Sequence, residues 1–351
     1  MNSWRDNVRK VEPYTPGEQP KEEGVIKLNT NENPYSPSDK IKEAMSGIKN
    51  LRKYPDPAAT KLVEAIASYH GFDKEEVFVG VGSDDVLAVA FMTFFNGKKP
   101  IFFPDITYSF YPVWAELFGI PYEKKAVNDA FEIQKEDYYV ENGGVVFPNP
   151  NAPTGAFLSL EVVEDIIQHN QDVVVIVDEA YIDFGGDTAK ELTRKYDNVL
   201  VVQTYSKSRS LAGLRIGYAI GNKELIKAMN DVKYSYNSYT MNEPSIVLGT
   251  AVLEDEEYFQ ETRNKIIDTR EWFQIEMRKI GFSFADSKAN FIFATHESVP
   301  AKEIFEAAKK AKIYVRYFDQ PRINNYLRIT IGTRDEMETL LDFLKEFTAT
   351  K

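Results

Sequence analysis

The sequence predicts an α/β protein with a large domain built on a mainly parallel sheet and a smaller second domain. Residues 173–177 are five consecutive apolar β-branched residues, which is typical of a parallel strand buried on both faces. Such apolar runs alternate with helical patterns up to about residue 240, and a long helical pattern at 257–280 then opens a different arrangement. The 351 residues provide enough chain for two domains.

The individual elements are predicted from apolar periodicity and from breaker residues. Strands are predicted at 77–79, 101–103, 199–202 and 216–220 and around Phe291, Ile313 and Ile329, and helices at 38–48, 60–69, 85–95, 301–311 and 334–347. Residues 1–30 hold several prolines among charges, which predicts an extended arm that joins the smaller domain. The predicted division is therefore an arm at 1–30, a large domain at 31–245 and a small domain at 246–351.

Composition and charge exclude several classes of function. The chain has no cysteine, which excludes disulfides and thiolate metal sites and suits a reducing cytoplasm. Its three histidines lie far apart, without metal-ligand spacing. The net charge of −12 argues against nucleic-acid and anionic-membrane partners. No apolar run approaches the roughly 18 residues of a membrane span, and the first residues lack a signal peptide's apolar core, so we expect a soluble, cytoplasmic protein.

Lys207 lies between two predicted buried strands, at 199–202 and 216–220. A lysine at the mouth of a buried sheet costs desolvation energy unless its charge is used or suppressed, and a suppressed charge leaves a nucleophilic amine. The alternative is a lysine in a polar surface loop, since short motifs such as Ser-Lys-Ser match by chance. Arg215 argues against that alternative, because it stands in Gly-x-Arg-x-Gly-Tyr, where small residues let the backbone approach a ligand.

The segment 206–218 has the pattern Ser-Lys-x-x-x-Leu-x-Gly-x-Arg-x-Gly-Tyr. It resembles the cofactor-bound lysine segment of the fold-type I aminotransferases. The resemblance implies that Lys207 carries pyridoxal 5'-phosphate and that Arg215, Thr204 and Ser206 hold the cofactor phosphate. It covers nearly the whole chain and implies the family's fold, in which helices flank a mainly parallel seven-stranded sheet beside a smaller α/β domain.

A glycine turn precedes the predicted helix at 85–95. Gly82 is followed by Ser83 and Asp84, and backbone N–H groups at a helix start after such a turn form an anion site. Asp85 stands where a dinucleotide-binding fingerprint needs its third glycine, which excludes that motif. Ser83 and Asp84 also suit a helix cap, and capping and anion binding use the same donors. The resemblance implies that both residues belong to the phosphate cup of the family.

Asp178 directly follows the buried run at 173–177. Ligands in open α/β sheets lie beyond the carboxyl ends of the strands, which favours a carboxylate of the site over the alternative of a helix N-cap. An ionised Asp178 against the pyridine nitrogen would keep that nitrogen protonated and make the ring an electron sink. The resemblance also implies that Tyr181 tunes the 3'-oxygen of the cofactor.

Two further cofactor contacts are expected. Tyr108 follows the predicted strand at 101–103, where its flat ring suits stacking on a pyridine ring; the alternative is a core or rim position, and the resemblance favours stacking. The family usually has Asn-Pro-Thr-Gly at 152–155, but here Ala152 replaces the asparagine that donates to the 3'-oxygen. Either Asn151 takes over this contact or Tyr181 makes it alone.

The polar segment 29–35 has the sequence Asn-Thr-Asn-Glu-Asn-Pro-Tyr, which is typical of a loop. It resembles the segment that covers the active site in the aminotransferase subgroup that handles histidinol phosphate, and the similarity extends to Tyr14 in the arm. We therefore expect Tyr14 and Asn33 at the substrate. Tyr54 is either a packing residue at a turn or, as the resemblance implies, a ligand of the cofactor phosphate in the other subunit of a homodimer.

Three arginines, Arg316, Arg322 and Arg328, lie close together near the end of this acidic chain. Arg328 stands in an apolar strand pattern, where a buried guanidinium requires an anion such as a carboxylate or phosphate. The resemblance implies that Arg328 binds the substrate carboxylate and also faces the substrate phosphate, as Arg316 does. Arg322 follows Pro321 in a loop and is predicted to be solvated.

These assignments predict a transaminase that exchanges the amino group between histidinol phosphate and 2-oxoglutarate, with Lys207 as general base and acid. The alternatives are an aromatic or broad-specificity aminotransferase, a threonine-phosphate decarboxylase with the same lysine and aspartate, and a ligand-sensing domain without turnover. The lack of a basic extension disfavours the sensing domain. Turnover of phenylalanine and release of carbon dioxide from threonine phosphate distinguish the other two.

Overall fold

The computed structural model describes residues 4–49 and 51–351, so residues 1–3 of the predicted arm lie outside the described chain. The α-helices are α1 (Asp39–Ser46), α2 (Thr60–His70), α3 (Ser83–Phe94), α4 (Phe110–Phe118), α5 (Leu160–Gln168), α6 (Lys223–Tyr236), α7 (Glu243–Leu253), α8 (Glu256–Lys279), α9 (Ala301–Lys310) and α10 (Arg334–Ala349). The strands are β1 (Ile26–Lys27), β2 (Val77–Gly80), β3 (Ile101–Pro104), β4 (Tyr122–Lys125), β5 (Val145–Pro148), β6 (Val175–Asp178), β7 (Val199–Thr204), β8 (Gly217–Gly221), β9 (Phe282–Ser283), β10 (Phe291–His296), β11 (Ile313–Tyr314), β12 (Arg316–Tyr317) and β13 (Leu327–Thr330).

The large sheet has seven strands in the order β2-β8-β7-β6-β5-β3-β4. The strands from β7 to β4 run parallel, whereas β8 is antiparallel to both of its neighbours. The predicted mainly parallel sheet of seven strands is therefore confirmed. Because parallel strands end at the same edge, Asp178 at the end of β6 and Thr204 at the end of β7 lie side by side.

The apolar run at 173–177 is explained by the core of the large sheet, in which strand β6 is buried on both faces. Strand β6 begins at Val175 rather than at Val173, because the Val173 N–H donates to the carbonyl of Asn170 in a turn. Ile176 packs under α3, α4 and α6 on one face, and Val175 packs under α5 on the other face. Complete burial of such a side chain contributes about 1.5–3 kcal/mol, so both faces hold β6 in register.

A small antiparallel sheet follows the large one, in the order β12-β13-β10-β9. Helices α8, α9 and α10 share its apolar core. The N-terminal arm joins this unit, since β1 pairs in parallel with β11 and the Thr330 N–H donates to the carbonyl of Leu28 at 3.0 Å. The segment after β1 is thereby fixed against β13.

Helix α7 spans residue 245, where the predicted domain boundary lies. Its Ile246 and Leu248 share a core with Leu62 and Ile66 of α2, so α7 packs with the large sheet. This packing favours a boundary between α7 and α8, and the division into domains stays a prediction.

The described residues contain no helix that is both long and apolar enough to cross a bilayer. They also contain no group of three or more histidine, aspartate or glutamate side chains arranged to hold a metal ion. The three histidines are separated in the fold, because His70 ends α2, His169 follows α5 and His296 ends β10.

Candidate active site

A cavity of about 190 Å³ opens at the carboxyl edge of the large sheet. The segments that follow β5, β6 and β7 form its wall together with the start of α3. Its lining residues are Thr30, Glu32, Ser83, Asp84, Tyr108, Pro148, Ala152, Asp178, Ala180, Tyr181, Thr204, Ser206, Lys207, Ala212 and Arg215. Lys207 and Asp178 therefore share one cavity, which the predicted chemistry requires.

Lys207 lies in the bend after β7. Its Nζ donates to the carbonyl of Thr30 at 3.3 Å and lies 5.7 Å from the centre of the Tyr181 ring. A lysine amine has three donor positions, so one carbonyl leaves the others for a ligand. Glu32 lines the same cavity; burial raises its pKa, but hydrogen bonds from Lys27 and Thr30 and the charge of Lys207 bring it below its ordinary value.

Asp178 is buried at the end of β6, with 4% of its surface exposed. Its carboxylate accepts hydrogen bonds from the Tyr111 hydroxyl at 2.9 Å and from the Ala180 N–H at 3.2 Å. Burial raises the pKa of Asp178 to about 6, although these two hydrogen bonds oppose the rise. A nearby cation would favour the ionised form, which is the arrangement that a protonated pyridine nitrogen needs.

Arg215 closes the cavity beside the start of α3. Its Nη2 lies 3.1 Å from the Asp84 carboxylate, and its Nη1 donates to the Ser206 hydroxyl at 3.3 Å. The Thr204 hydroxyl donates to Ser206 Oγ at 3.0 Å. Arg215 has a φ of 53°, a left-handed conformation that is uncommon for a non-glycine residue and recurs at functional sites. A guanidinium, two hydroxyls and a helix N-terminus thus meet at one point, which suits a phosphate.

Gly82 and Gly217 make this close packing possible. A Cβ at Gly82, where φ is 84°, would lie 2.3 Å from Arg215 Nη2, and a Cβ at Gly217 would lie 2.2 Å from the backbone nitrogen of Ser83. Both distances are far shorter than a van der Waals contact, so any larger residue would displace the arginine or the start of α3.

Tyr108 is fixed at the same cavity by its hydroxyl, which donates to Asp84 Oδ1 at 2.7 Å. Its ring lies edge-on to Tyr111, with centroids 5.8 Å apart. Burial, followed by the charge of Asp84, raises the pKa of Tyr108 well above its ordinary value. The hydroxyl therefore stays protonated and holds the ring in place, while stacking on a cofactor stays a prediction.

Tyr181, a site residue predicted from the sequence, is positioned by Asn31, to which the sequence analysis assigned no role. Asn31 Nδ2 donates to the Tyr181 hydroxyl at 2.9 Å, and its own N–H donates to the Thr330 hydroxyl at 3.0 Å. The predicted neighbour, Asn33, does not line the cavity and instead donates to the backbone carbonyls of Lys207 and Ser208 at 3.1 Å. Asn33 thus braces the lysine bend, and this geometry does not support a substrate contact.

Asn151 has its hydrogen bonds within its own loop. Its Nδ2 donates to the Ile106 carbonyl at 2.9 Å and to the Thr154 hydroxyl at 2.8 Å, and its Oδ1 accepts from the Thr107 hydroxyl at 3.1 Å. Ala152, rather than Asn151, lines the cavity. The geometry therefore favours Tyr181 for the contact with the 3'-oxygen.

Arg316 and Arg328 are register partners on β12 and β13. Arg328 Nη2 donates to the carbonyl of Asn29 at 3.0 Å, whereas its buried Nε has no hydrogen-bond partner among the described residues. Within the described chain, neither guanidinium has a carboxylate oxygen within 4.0 Å. Burial lowers the pKa of Arg328. Two neighbouring guanidinium groups without a carboxylate form a site for an anion.

A second cavity, of about 380 Å³, adjoins the first at Tyr108. Arg316 lines it from the small sheet and Tyr14 lines it from the arm. The Tyr14 ring stacks on Phe110 of α4, with centroids 4.3 Å apart. The arm thus covers a space that is bordered by an arginine and that shares Tyr108 with the cavity of Lys207.

Two positions singled out in the sequence lie away from the Lys207 cavity. Tyr54 is 81% exposed, and its ring lies 4.7 Å from that of Tyr239, so its role at the phosphate of another subunit stays a prediction. Arg322 is exposed, as predicted, with 38% of its side chain accessible, but it is also paired. Its guanidinium donates to the Asp105 carboxylate at 2.8 Å and to the Val127 carbonyl at 2.7 Å, because the fold brings together segments that are far apart in the sequence.

The sequence model of aminotransferase class I and II matches residues 23–344. This chain belongs to that family. The aminotransferase is 51% identical over 344 residues to the histidinol-phosphate aminotransferase of Clostridium beijerinckii, covering 97% of this chain and 96% of that protein. It is 50% identical over 351 residues to that of Lactococcus lactis subsp. cremoris strain SK11, covering 99% of each. The solved histidinol-phosphate aminotransferase of Sinorhizobium meliloti, in complex with pyridoxal-5'-phosphate, has the same fold, with a TM-score of 0.84 at 21% identity over 93% of this chain and 91% of that one.

The cofactor of this aminotransferase is pyridoxal 5'-phosphate, and the cavity fits it chemically. Lys207 offers an amine for the covalent bond, Asp178 offers a carboxylate for the pyridine nitrogen, and Tyr108 offers a ring face. Arg215 and Ser206 would hold the phosphate with Thr204, Ser83, Asp84 and the start of α3. Because Gly82 and Gly217 lack a Cβ, Arg215 and the start of α3 pack closely together, which would let the guanidinium and the backbone N–H groups reach the same phosphate.

Tyr111 is a supporting residue of this aminotransferase to which no role was assigned from the sequence. It lies three positions after Tyr108, near the start of α4, and it is completely buried. Its hydroxyl donates to Asp178, which fixes the carboxylate inside the cavity. The sequence signal that was available is its closeness to Tyr108, since the Tyr111 N–H donates to the Tyr108 carbonyl at 3.3 Å in the turn that leads into α4.

Proposed function

We propose that this aminotransferase exchanges an amino group between L-histidinol phosphate and 2-oxoglutarate in histidine biosynthesis, giving imidazole-acetol phosphate and L-glutamate. The observation that carries the proposal is that Tyr108 lines both the cavity of Lys207 and Asp178 and a second cavity bordered by Arg316. Arg316 is the register partner of Arg328, which likewise has no carboxylate partner among the described residues. Two such guanidinium groups suit a substrate that carries a phosphate. The identity of about half of all residues with two histidinol-phosphate aminotransferases supports the same substrate.

The side chains of this site have separate tasks. Bound pyridoxal phosphate supplies an electron sink for the bond that breaks at the substrate Cα. Lys207 Nζ takes the proton from Cα and returns it later, as general base and acid. Asp178 would hold a proton on the pyridine nitrogen of the bound cofactor, and Tyr181, which accepts from Asn31, would donate its hydroxyl to the 3'-oxygen. Arg328 and Arg316 orient the substrate through its anionic group.

One pair of arginines serves both substrates in this proposal. Glutamate and 2-oxoglutarate carry a carboxylate directly on the reacting carbon, and histidinol phosphate carries a CH2–O–phosphate group there instead. Arg328 binds either anion, and Arg316 adds a second charge that matters most for the phosphate, because a phosphate carries more charge than a carboxylate.

Replacing Arg316 with methionine should raise the KM for histidinol phosphate by about 10- to 100-fold, the effect expected from losing one hydrogen bond to a charged group. The KM for glutamate should rise less, and kcat should change little. Steady-state kinetics with each substrate measure the effect. Arg334→Met is the matched control, since Arg334 pairs with Glu338 on the outer surface of α10. Equal rises in both KM values would contradict the assignment of Arg316 to the phosphate.

The proposal includes a homodimer in which Tyr54 reaches the cofactor phosphate of the other subunit. Tyr54 is 81% exposed, and its hydroxyl has no hydrogen-bond partner among the described residues. We also propose a cytoplasmic location, in line with a chain that has no cysteine.

Tyr54→Phe should weaken cofactor binding by about 10-fold, because it removes one hydrogen bond to a charged phosphate, while the dimer itself persists. Equilibrium dialysis of the cofactor and analytical ultracentrifugation measure the two quantities. Tyr236→Phe is the control, since Tyr236 is also highly exposed, at 68%. An unchanged cofactor affinity, or a monomeric parent protein, would refute the role of Tyr54.

The function itself is tested by the turnover of the purified, cofactor-loaded enzyme. With 2-oxoglutarate as acceptor, kcat/KM for histidinol phosphate should exceed that for phenylalanine by about 100-fold or more, because phenylalanine has a carboxylate but no phosphate, and a site built for a phosphate rejects a substrate that lacks one. Threonine phosphate should release no carbon dioxide. Absent turnover of histidinol phosphate, or decarboxylation of threonine phosphate, would overturn the proposal.

A further inference from the structure

We propose that Arg322 and Asp105 form a clasp that positions Arg316 and Arg328 over the cavity and thereby sets the affinity for anionic substrates. The clasp consists of these two side chains together with the backbone carbonyls of Val127 and Asn128. The inference rests on the proposed function, since it concerns the same substrate site. Arg322 and Asp105 act here as positioning residues.

The clasp is a set of directed, charge-assisted hydrogen bonds. Arg322 Nη1 donates to Asp105 Oδ2 at 2.8 Å, and Arg322 Nη2 donates to the carbonyls of Val127 and Asn128 at 2.7 and 3.2 Å. The other oxygen of Asp105 accepts from the Val127 N–H at 3.0 Å. One planar guanidinium thus joins three acceptors, an arrangement that lysine cannot reproduce.

The two ends of the clasp belong to opposite walls of the substrate cavity. Asp105 directly follows β3 and precedes Tyr108 by three residues. Arg322 lies in the loop 318–326, which joins β12, where Arg316 stands, to β13, where Arg328 stands. Asp105 lines the second cavity from one side, and Gln320 and Ile323 of this loop line it from the other. The clasp therefore fixes the loop between the two arginines against the large sheet.

The backbone at Arg322 indicates that the loop depends on this side chain. Arg322 has a φ of 71°, a left-handed conformation that non-glycine residues rarely adopt and that persists only where its surroundings enforce it. Beneath the clasp, Ile323 packs in a small apolar cluster with Ile106, Val127, Phe131 and Phe293. This cluster shields one side of the ion pair, whose side chains are 38% and 27% exposed.

Loss of the clasp should affect substrate binding more than chemistry. Lys207, Asp178 and Arg215 all stand on segments of the large sheet, so the cofactor site does not depend on the loop. Arg316 and Arg328 stand at the two ends of the loop, so release of the loop should loosen both, and Arg316 on the edge strand β12 more than Arg328, which pairing with β10 also holds. The expected signature is a higher KM for both anionic substrates with a nearly constant kcat.

The test compares Arg322→Met, Asp105→Ala and the double variant, all as cofactor-loaded enzymes. Each single variant should raise the KM for histidinol phosphate and for glutamate by about 10-fold, the effect of one hydrogen bond to a charged group. The double variant should be no worse than either single one, because both remove the same interaction. The visible absorbance of the bound cofactor should stay the same. Arg278→Met is the control, because Arg278 pairs with Asp286 at 2.9 Å and is comparably exposed, at 49%.

The clasp proposal would be overturned if the KM values of the variants stayed within about twofold of the parent. It would also be overturned if the two effects on KM multiplied in the double variant. A loss of kcat and of bound cofactor as large as the change in KM would overturn it as well. If Arg322→Met fails to fold, Arg322→Lys keeps the charge without the fork and should still raise KM. If the parent enzyme does not turn over histidinol phosphate, the proposed function fails. The clasp is then tested by two other measurements. Arg322→Met must raise the KM for glutamate, and it must accelerate amide hydrogen exchange at residues 316–330.

Discussion

Replacing Lys207 with alanine should abolish the visible absorbance of covalently bound pyridoxal phosphate and lower transamination by about 10⁴-fold or more. Lys207 Nζ is both the attachment point of the cofactor and the base that moves the Cα proton, so one substitution removes two functions. In the structure this amine lies in the cavity of Asp178 and donates a hydrogen bond to the Thr30 carbonyl. Absorbance spectra and single-turnover kinetics with histidinol phosphate measure the two losses.

Lys227→Ala is the control for Lys207→Ala, because Lys227 is an exposed lysine of α6 paired with Asp231. A small primary amine added to Lys207→Ala should restore part of the proton transfer, since it replaces the missing base. If Lys207→Ala kept the cofactor absorbance and full turnover, the proposed mechanism would be wrong.

Replacing Asp178 with asparagine should lower kcat by about 100- to 1000-fold, the range observed when one preorganised electrostatic group is removed from an active site. Asparagine keeps the size of the side chain and a hydrogen bond with Tyr111, but it cannot hold a proton on the pyridine nitrogen. The cofactor should still bind to Lys207. Turnover and the cofactor spectrum, measured side by side, separate a chemical defect from a binding defect.

The same substitution should change the pH dependence of stability in the cofactor-free protein. Burial raises the pKa of Asp178 from 3.8 to about 6, so the stability that the protonated form contributes is lost as the pH rises through about 6. Asparagine does not ionise. Relative to the parent, Asp178→Asn should therefore gain about 1 kcal/mol in the free energy of unfolding between pH 5 and pH 8, since only the interval up to about 6 contributes. Urea unfolding at pH 5 and at pH 8 measures this gain. A difference between variant and parent in the free energy of unfolding that is the same at both pH values would contradict the raised pKa.

Much of the candidate site was predictable because its signals are local. Lys207 and Arg215 lie within one segment after a buried strand, and Asp178 directly ends another. The carboxyl ends of parallel strands share one edge, so residues that end such strands meet whatever the details of the fold. A glycine turn before a predicted helix placed Ser83 and Asp84 next to a helix start, and α3 begins at Ser83.

Other parts were not predictable because they depend on contacts between distant segments. Asn31 reaches Tyr181, 150 positions away in the sequence, whereas the sequence pattern favoured Asn33. Arg322 meets Asp105 across 217 positions, although its proline-containing loop predicted solvation. Neither pattern contains information on which remote acceptor the fold brings within reach.

The sequence alone established the α/β class, the residues at the ends of the buried strands and the chemistry of their side chains, because apolar periodicity and turn residues act over a few positions. Only the tertiary structure decided the order of the strands, the antiparallel direction of β8 and the partners of Asn31, Asn33 and Arg322. Those features follow from the packing of whole elements against one another, in which each contact depends on the position of all the others.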